Sequence, residues 1–436
     1  MTLNETEQRV ADAIAERVDD LVALAGDLVA FDTTARNPGD AARDEAALQD
    51  FLAGRLRAAG AEVDVWEPEA GELAGRPLIP PELDFEGRPQ LLARFPGGGG
   101  RSLLLNGHID AVSYEPRDRW TSDPLRAEVR DGQLYGRGSC DMKGGVAAMV
   151  FAAETLAALG IRLAGDLLVN TNTDEESSGA GSMACVAHGV RADGGIVPEP
   201  TGFDVWVACR GGMYTEVTVP GRPGHAEVAQ PHWREGGAVN AIEKAMVVLE
   251  GVRRLGDEWR GRTDAQHPYL APSSIVPTVI SAGEWAVTYP ASCRFTCDLM
   301  YVPAQADAEG WPAELKEEVR AWLLRSAAAD PWLAENPPEV GFSTGVPAME
   351  IDLDEAIVQT TLAATADVGR PGKPAGLDSW YDGATFTLYA DTPSVAFGPG
   401  DIRIAHTIDE HVPVEDLVAC SQGIAVAALR FCGETA

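Results

Sequence analysis

Two hydrophobic rhythms run along this chain, and they change place. Apolar residues recur at helical spacing from Val10 to Val29 and again from Ala46 to Leu56. A strand, "AEVDVW", then a Pro/Gly-rich loop lead to a second strand, "LLARF". From there the order is strand "RSLLLNGHI", helix "GGVAAMVFAAETLAALG", strand "GDLLVNT", helix "GAGSMACVAHG" and strand "GGIVPEP". Such alternation predicts an α/β sheet with parallel members and helices on its faces. Sheets of that kind bind ligands at the carboxyl ends of their strands.

Near Arg210 the rhythm switches. "GMYTEVTVPG" alternates as a strand, a long helix follows at "GAVNAIEKAMVVLEGV", and two strands lie between Ser274 and Tyr301. Helix "AELKEEVRAWLLRSA" then precedes a short strand near "PPEVGFST". This β-α-β-β-α-β order predicts an inserted two-layer α+β domain with a mostly antiparallel sheet. After about Gly345 the pattern returns to helix–strand–helix, closing on "EDLVACSQGIAVAALRF". The expected organisation is a discontinuous catalytic domain, residues 1–208 and 347–436, around an insertion at 209–346.

Composition narrows the function. The 436 residues include 67 acidic and 34 basic side chains, a net charge of −33. Nucleic acid and anionic membranes need a basic surface, so neither is an expected partner. No apolar run approaches the roughly 20 residues that span a bilayer. The polar N-terminal helix has no signal-peptide core, and the expected location is the cytoplasm. Seven cysteines, scattered singly except for Cys293 and Cys297, fit reduced thiols better than a disulfide framework. The spacing of that one pair puts both thiols on one face of a strand, where packing explains them.

The chemistry concentrates in a few places. "TNTDEESSG" loads three carboxylates onto the end of a buried strand, at several kcal/mol each unless a cation meets them. Asp174 there reads as a solvated or capping residue. Glu175 and Glu176 are adjacent, so one can ligate a cation while its neighbour faces water. His108 and Asp110 share one side of the strand "LLLNGHID", where Asp110 can accept the N–H of a metal-binding imidazole. HxD alone also arises by chance. Asp141, in the turn "GRGSCDMKGG", by itself equally suits a helix N-cap. Glu199 follows strand "GGIV", and His406 sits in the loop "IRIAHTIDE". Together these are two histidines and five carboxylates, a mixed set suited to zinc or cobalt with a carboxylate bridging two ions. No phosphate-binding glycine loop, GxSxG elbow or cysteine nucleophile motif is present.

The stretches "LLLNGHIDAV", "YGRGSCDMKGGVAAM", "TDEESSGAGS", "VPEPTG" and "FGPGDIRIAHTIDEHV", in that order, resemble the M20 family of metallopeptidases and deacylases. The similarity runs from about Leu21 to Leu429. It is strongest to the group of acetylornithine deacetylases, succinyl-diaminopimelate desuccinylases and formylaminopyrimidine deformylases. This resemblance implies a zinc-exopeptidase-like mixed sheet, an inserted domain serving as lid and dimerisation surface, and a homodimer. It implies two Zn2+ per chain, with Co2+ able to substitute. His108, Glu199 and a bridging Asp141 would hold one ion; Asp141, Glu176 and His406 would hold the other. Glu175 matches the family's general base, and Asp110 its histidine-orienting acid. His225, in "GRPGHAE", matches a histidine that reaches the partner subunit's site. A cis peptide at Asp141–Met142 is also implied.

Departures from the family concern substrate. Met300 in "CDLMYVP" stands where relatives carry an arginine, and Val287 where many carry an asparagine. Arg210, Arg234 and Arg294 are candidate replacements, and Asp382 in "GLDSWYDGATF" matches a family acid near the metals. His232 and Trp233 lie in a lengthened link, where they line a pocket or pack on the lid. The expected function is removal of an acyl or formyl group from a small amine or amino acid. An exopeptidase is the alternative. A catalytically inactive binding protein on the same fold is the third reading, and the intact ligand set argues against it.

Overall fold

The computed structural model describes residues 2–435 apart from Arg36, Pro38 and Gly39. The chain forms two compact units: Met1–Ala208 with Glu350–Gly376 and Tyr381–Ala436, and Cys209–Met349 with Leu377–Trp380. The return from the insertion thus falls three residues later than the pattern places it. Tyr301 Oη donates to the Val346 carbonyl and Ala348 N–H to that of Gly310, which keeps this last stretch with the inserted unit.

The first unit is built on a mixed sheet. Its order runs Glu62–Trp66, Gln90–Phe95, Leu167–Asn172, Leu103–His108, Gly194–Val197, Ser394–Ala396, Val205–Cys209 and Met349–Glu350, with Pro374–Leu377 beside Val205–Cys209. Leu167–Asn172, Leu103–His108, Gly194–Val197 and Ser394–Ala396 are mutually parallel, so their carboxyl ends share one edge. Antiparallel neighbours flank them. Helix Lys143–Ala158 is buried without interruption from Lys143 to Ala153. Gly107 lies against its Val146 and Met149. On the other face, Leu104 and Leu168 cluster with Cys185 and Phe386. Helices therefore cover both faces.

The periodic stretch Val10–Val29 is two helices, Glu5–Ala15 and Val18–Val29. The first starts early because Asn4 and Glu7 form a reciprocal capping box. Arg17 leaves helical geometry between them and lies over the Phe151 ring. The three-residue strands Glu128–Arg130, Gln133–Tyr135 and His411–Pro413 form a small sheet that no hydrophobic period announces.

The inserted unit has a four-stranded antiparallel sheet ordered Ser274–Ala282, Ser292–Tyr301, Gly211–Pro220, Glu339–Val346. Helices Ala241–Trp259 and Ala313–Ala327 supply Val248, Val252, Leu255, Val319 and Leu323 to a core with Val217, Phe295 and Leu299. Cys293 and Cys297 are both buried in that core, and all seven cysteines are free thiols. Edge strand Ser274–Ala282 leaves Val276, Val279 and Ile280 exposed. Among the described residues, no helix is long and apolar enough to cross a membrane.

Candidate metal centre

The parallel strands deliver the chemistry to one edge. His108 ends strand Leu103–His108, Glu199 follows Gly194–Val197, and Glu175 and Glu176 follow Leu167–Asn172. His406 comes from the loop after Ser394–Ala396, in the left-handed region at φ 62°. Asp141 arrives from the turn before helix Lys143–Ala158, and its peptide to Met142 is cis. The glycine pair after Lys143 makes this approach possible. A Cβ on Gly145 would meet the Pro198 carbonyl at 2.0 Å, and one on Gly144 the Ser139 carbonyl at 2.3 Å. Only glycine lets the helix start press on the Glu199 loop.

Asp141 stands between two histidines. Its Oδ1 is 3.2 Å from His108 Nε2, and its Oδ2 is 3.4 Å from His406 Nε2. Glu176 Oε2 lies 3.1 Å from His406 Nε2, and Glu199 Oε1 3.9 Å from His108 Nε2. Two triplets result, His108–Asp141–Glu199 and Asp141–Glu176–His406, each with donor atoms within 4.8 Å of one another. The first is buried throughout. In the second, the His406 side chain is 52% exposed.

Burial and close charges shift most of these groups away from their ordinary values. Burial drives the Glu175 and Glu199 carboxyls well above the usual range, and neighbouring acids add to this. Burial likewise pushes Asp110 up to about 8. Asp141 is equally buried, yet hydrogen bonds from His108 and His406 hold it far below an ordinary carboxylate. Hydrogen bonds to Asp141 and then Glu176 raise His406 to about 10. Each triplet offers one imidazole nitrogen and two carboxylates, a donor set that zinc accepts. The residues present fit the metals that the resemblance implies.

Around this cluster, several expectations are redrawn. The Asp110 carboxylate is 3.6 Å from His108 Nδ1, which instead meets the Asp110 backbone carbonyl at 2.9 Å. Asp110 Oδ1 and Oδ2 accept the N–H groups of Glu175 and Glu176 at 3.3 and 3.0 Å. The main chain orients the imidazole, and the carboxylate fixes the glutamate turn. Asp174 is no solvated residue: it is buried and ion-paired with Arg88. Asp382 is wholly buried, and its Oδ2 accepts from Asn172 at 2.7 Å and Asn106 at 3.3 Å. Sequence reading also passed over Glu410, whose burial is a tertiary fact, and Lys143, whose Nζ donates to the Phe31 carbonyl.

The remaining expected residues lie in the inserted unit. Arg210 donates to the Asp378 and Pro272 carbonyls at 2.9 and 3.2 Å. Arg234 pairs with Glu335 on the surface, and Arg294 is exposed on the open sheet face. Trp233 packs edge-on against Trp332, with His232 beside it. His225 is exposed in a short two-stranded antiparallel ladder opposite Thr288, and the Val287 carbonyl accepts the next N–H, from Ala226.

The sequence pattern of peptidase family M20/M25/M40 matches residues 104–430. This chain belongs to that family. As an M20 protein it is a metal-dependent hydrolase of linear amides. It is 29% identical to the N-formyl-4-amino-5-aminomethyl-2-methylpyrimidine deformylase of Halalkalibacterium halodurans, over 95% of each chain. It is 32% identical to the acetylornithine deacetylase of Myxococcus xanthus, over 93% of this chain and 96% of that one. The M20 fold here is similar to that of a tripeptidase from Staphylococcus aureus, with a TM-score of 0.70 at 19% identity. That likeness covers 95% of this chain and 98% of the other.

Proposed function

We propose that this protein is a dinuclear metal-dependent amidohydrolase that removes a formyl or other small acyl group from a small amine. The observation that carries the reading is Asp141, which turns one oxygen to His108 and the other to His406. That is the placement of a carboxylate bridging two cations, held by His108 and Glu199 on one side and Glu176 and His406 on the other. Bound zinc or cobalt would supply the Lewis acidity that makes water a nucleophile near neutral pH.

The chain's own groups do the rest. Glu175 belongs to neither triplet, and its Oε2 lies 4.0 Å from His108 Nε2. Burial raises its affinity for a proton, which suits a base that takes one from water and passes it to the leaving amine. Asp110 holds Glu175 and Glu176 in place by their N–H groups. His225 is the candidate oxyanion partner, contributed by the second subunit of a homodimer. Exposed Val276, Val279 and Ile280 on an open sheet edge support dimerisation through the inserted unit. Seven free, buried thiols support a cytoplasmic setting.

The guanidinium of Arg210 is already spent on two carbonyls, and Met300 offers no charge. Both favour an amine without an α-carboxylate, as in the deformylase relative. A panel of N-formyl, N-acetyl and N-succinyl amines against dipeptides, run with zinc or cobalt, tests this. Turnover of formyl amines is expected. Preference for dipeptides would make the protein an exopeptidase, and a metal-loaded protein inert on every amide would sink the reading.

A further inference from the structure

Glu410 lies four residues beyond His406, and its side chain is 1% exposed. Its Oε1 accepts two successive main-chain N–H groups, Cys140 at 2.9 Å and Asp141 at 3.0 Å. Its Oε2 meets Nη1 of Arg137, itself 3% exposed and set against the Trp120 ring. The main chain repeats the tie. The Glu410 carbonyl accepts from Gly136 N–H at 3.0 Å and from Ser139 Oγ at 3.4 Å. One residue therefore fastens the turn carrying Asp141 to the loop carrying His406.

The two ligand triplets depend on this tie unequally. His108 and Glu199 are anchored by sheet strands whose backbone bonds do not involve Glu410. His406 has no such support: it is half exposed, outside regular structure, and in a left-handed conformation disfavoured for non-glycine residues. A buried carboxylate is costly unless paired, and Arg137 supplies the pairing. What the pair achieves is directional, since Oε1 fixes the backbone on which the Asp141 carboxylate swings.

We infer that Glu410 is a positioning residue for the metal centre. It sets the separation of Asp141 from His406, and through it the affinity of the triplet Asp141–Glu176–His406. The inference rests on the dinuclear reading above. Partners that hold metal ligands in place change affinity about 10- to 100-fold when lost.

Full-length protein stripped of metal is titrated with Co2+, read by visible absorption and by competition with a chromophoric chelator. Melting of the stripped protein reports the fold. Glu410→Leu with Arg137→Met removes acceptor and cation together, so neither charge is orphaned. Glu410→Gln keeps an oxygen for both N–H groups, whereas Glu410→Asp keeps the charge but withdraws the acceptor by one methylene. Wild type should take up two ions. The double variant should bind the second about 10- to 100-fold more weakly, with an altered absorption band, and the first less affected than the second. Should the double variant not fold, Glu410→Asp should weaken the second ion more than Glu410→Gln; the reverse order overturns the inference. A folded double variant with wild-type second-ion affinity and band also overturns it. Wild type saturating at one ion would sink the dinuclear reading, and this inference with it.

Discussion

Arg88 Nη1 lies 3.1 Å from Asp174 Oδ1, with the two side chains only 1% and 5% exposed. Asp174 sits at φ 62°, accepts from Thr173 Oγ1, and its carbonyl receives the N–H groups of Ser178 and Gly179. The pair thus anchors the turn that presents Glu175 and Glu176. Removing one partner leaves a buried charge, so Arg88→Met should cost about 3–5 kcal/mol. Arg88→Met with Asp174→Asn should recover most of that loss. Denaturant unfolding checks both, and a single-variant loss of under about 1 kcal/mol would mean the pair behaves like a surface ion pair.

Glu175 and Glu176 are neighbours with different proposed tasks, so their variants should fail differently. Glu175→Gln should keep about two ions per chain by elemental analysis and lose about 100- to 10,000-fold in kcat. Glu176→Ala should lose metal as well as turnover. Undiminished kcat in Glu175→Gln would assign the base elsewhere.

His225 gives a test of subunit cooperation. Glu175→Ala and His225→Ala chains, each expected to be inactive, are mixed under conditions that let the subunits of the proposed homodimer exchange. About half the dimers are then mixed, and each holds one site with both residues intact. Activity should return to about a quarter of wild type. A mixture that stays dead places His225 within its own chain's site, or outside catalysis.

Glu7 supplies a pH signature remote from the metals. Arg430 grips it at 2.7 and 2.9 Å, and this hydrogen bonding holds its carboxyl below the usual value of 4.5. A depressed folded-state value contributes stability that is complete above the unfolded value and lost as pH falls through the folded one. Unfolding of wild type and Glu7→Gln should therefore differ most at neutral pH and converge as pH falls through the lowered folded-state value. A gap that persists into acid would assign the stabilisation to packing.

The net charge of −33 predicts a salt response. Self-repulsion opposes the compact state, and the Debye length shrinks from about 10 Å at 0.1 M to about 3 Å at 1 M. The thermal midpoint should rise with KCl across that range. A fall would show that local ion pairs outweigh the net repulsion.

The sequence made the strand-end chemistry legible because Leu103–His108 and Leu167–Asn172 are buried on both faces and each opens on a run of three apolar residues. Motifs that follow such runs must lie on one sheet edge. What stayed hidden was partnership. Arg88 and Asp174 are 86 positions apart, and Arg137 and Glu410 are 273 apart. No local pattern separates such buried acids from solvated ones, which is why Asp174 looked like a loop residue. Arg210 misled in the opposite sense, since the carbonyls that occupy it come from distant loops. Helical periodicity from Val10 to Val29 continued across a break that polar Glu16 and Arg17 only hint at.

The insertion also imposes a schedule on synthesis. Strand Gly194–Val197 takes Ser394–Ala396 as its outer neighbour, with Ser394 opposite Gly195. Roughly 200 residues of chain must leave the ribosome between them, which at about 5–20 residues per second takes about 10–40 s. Throughout that interval a hydrophobic strand edge waits unpaired while the inserted unit is being made. The nascent first half is thus the stage at which a chaperone, or an unwanted neighbour, finds the most to bind.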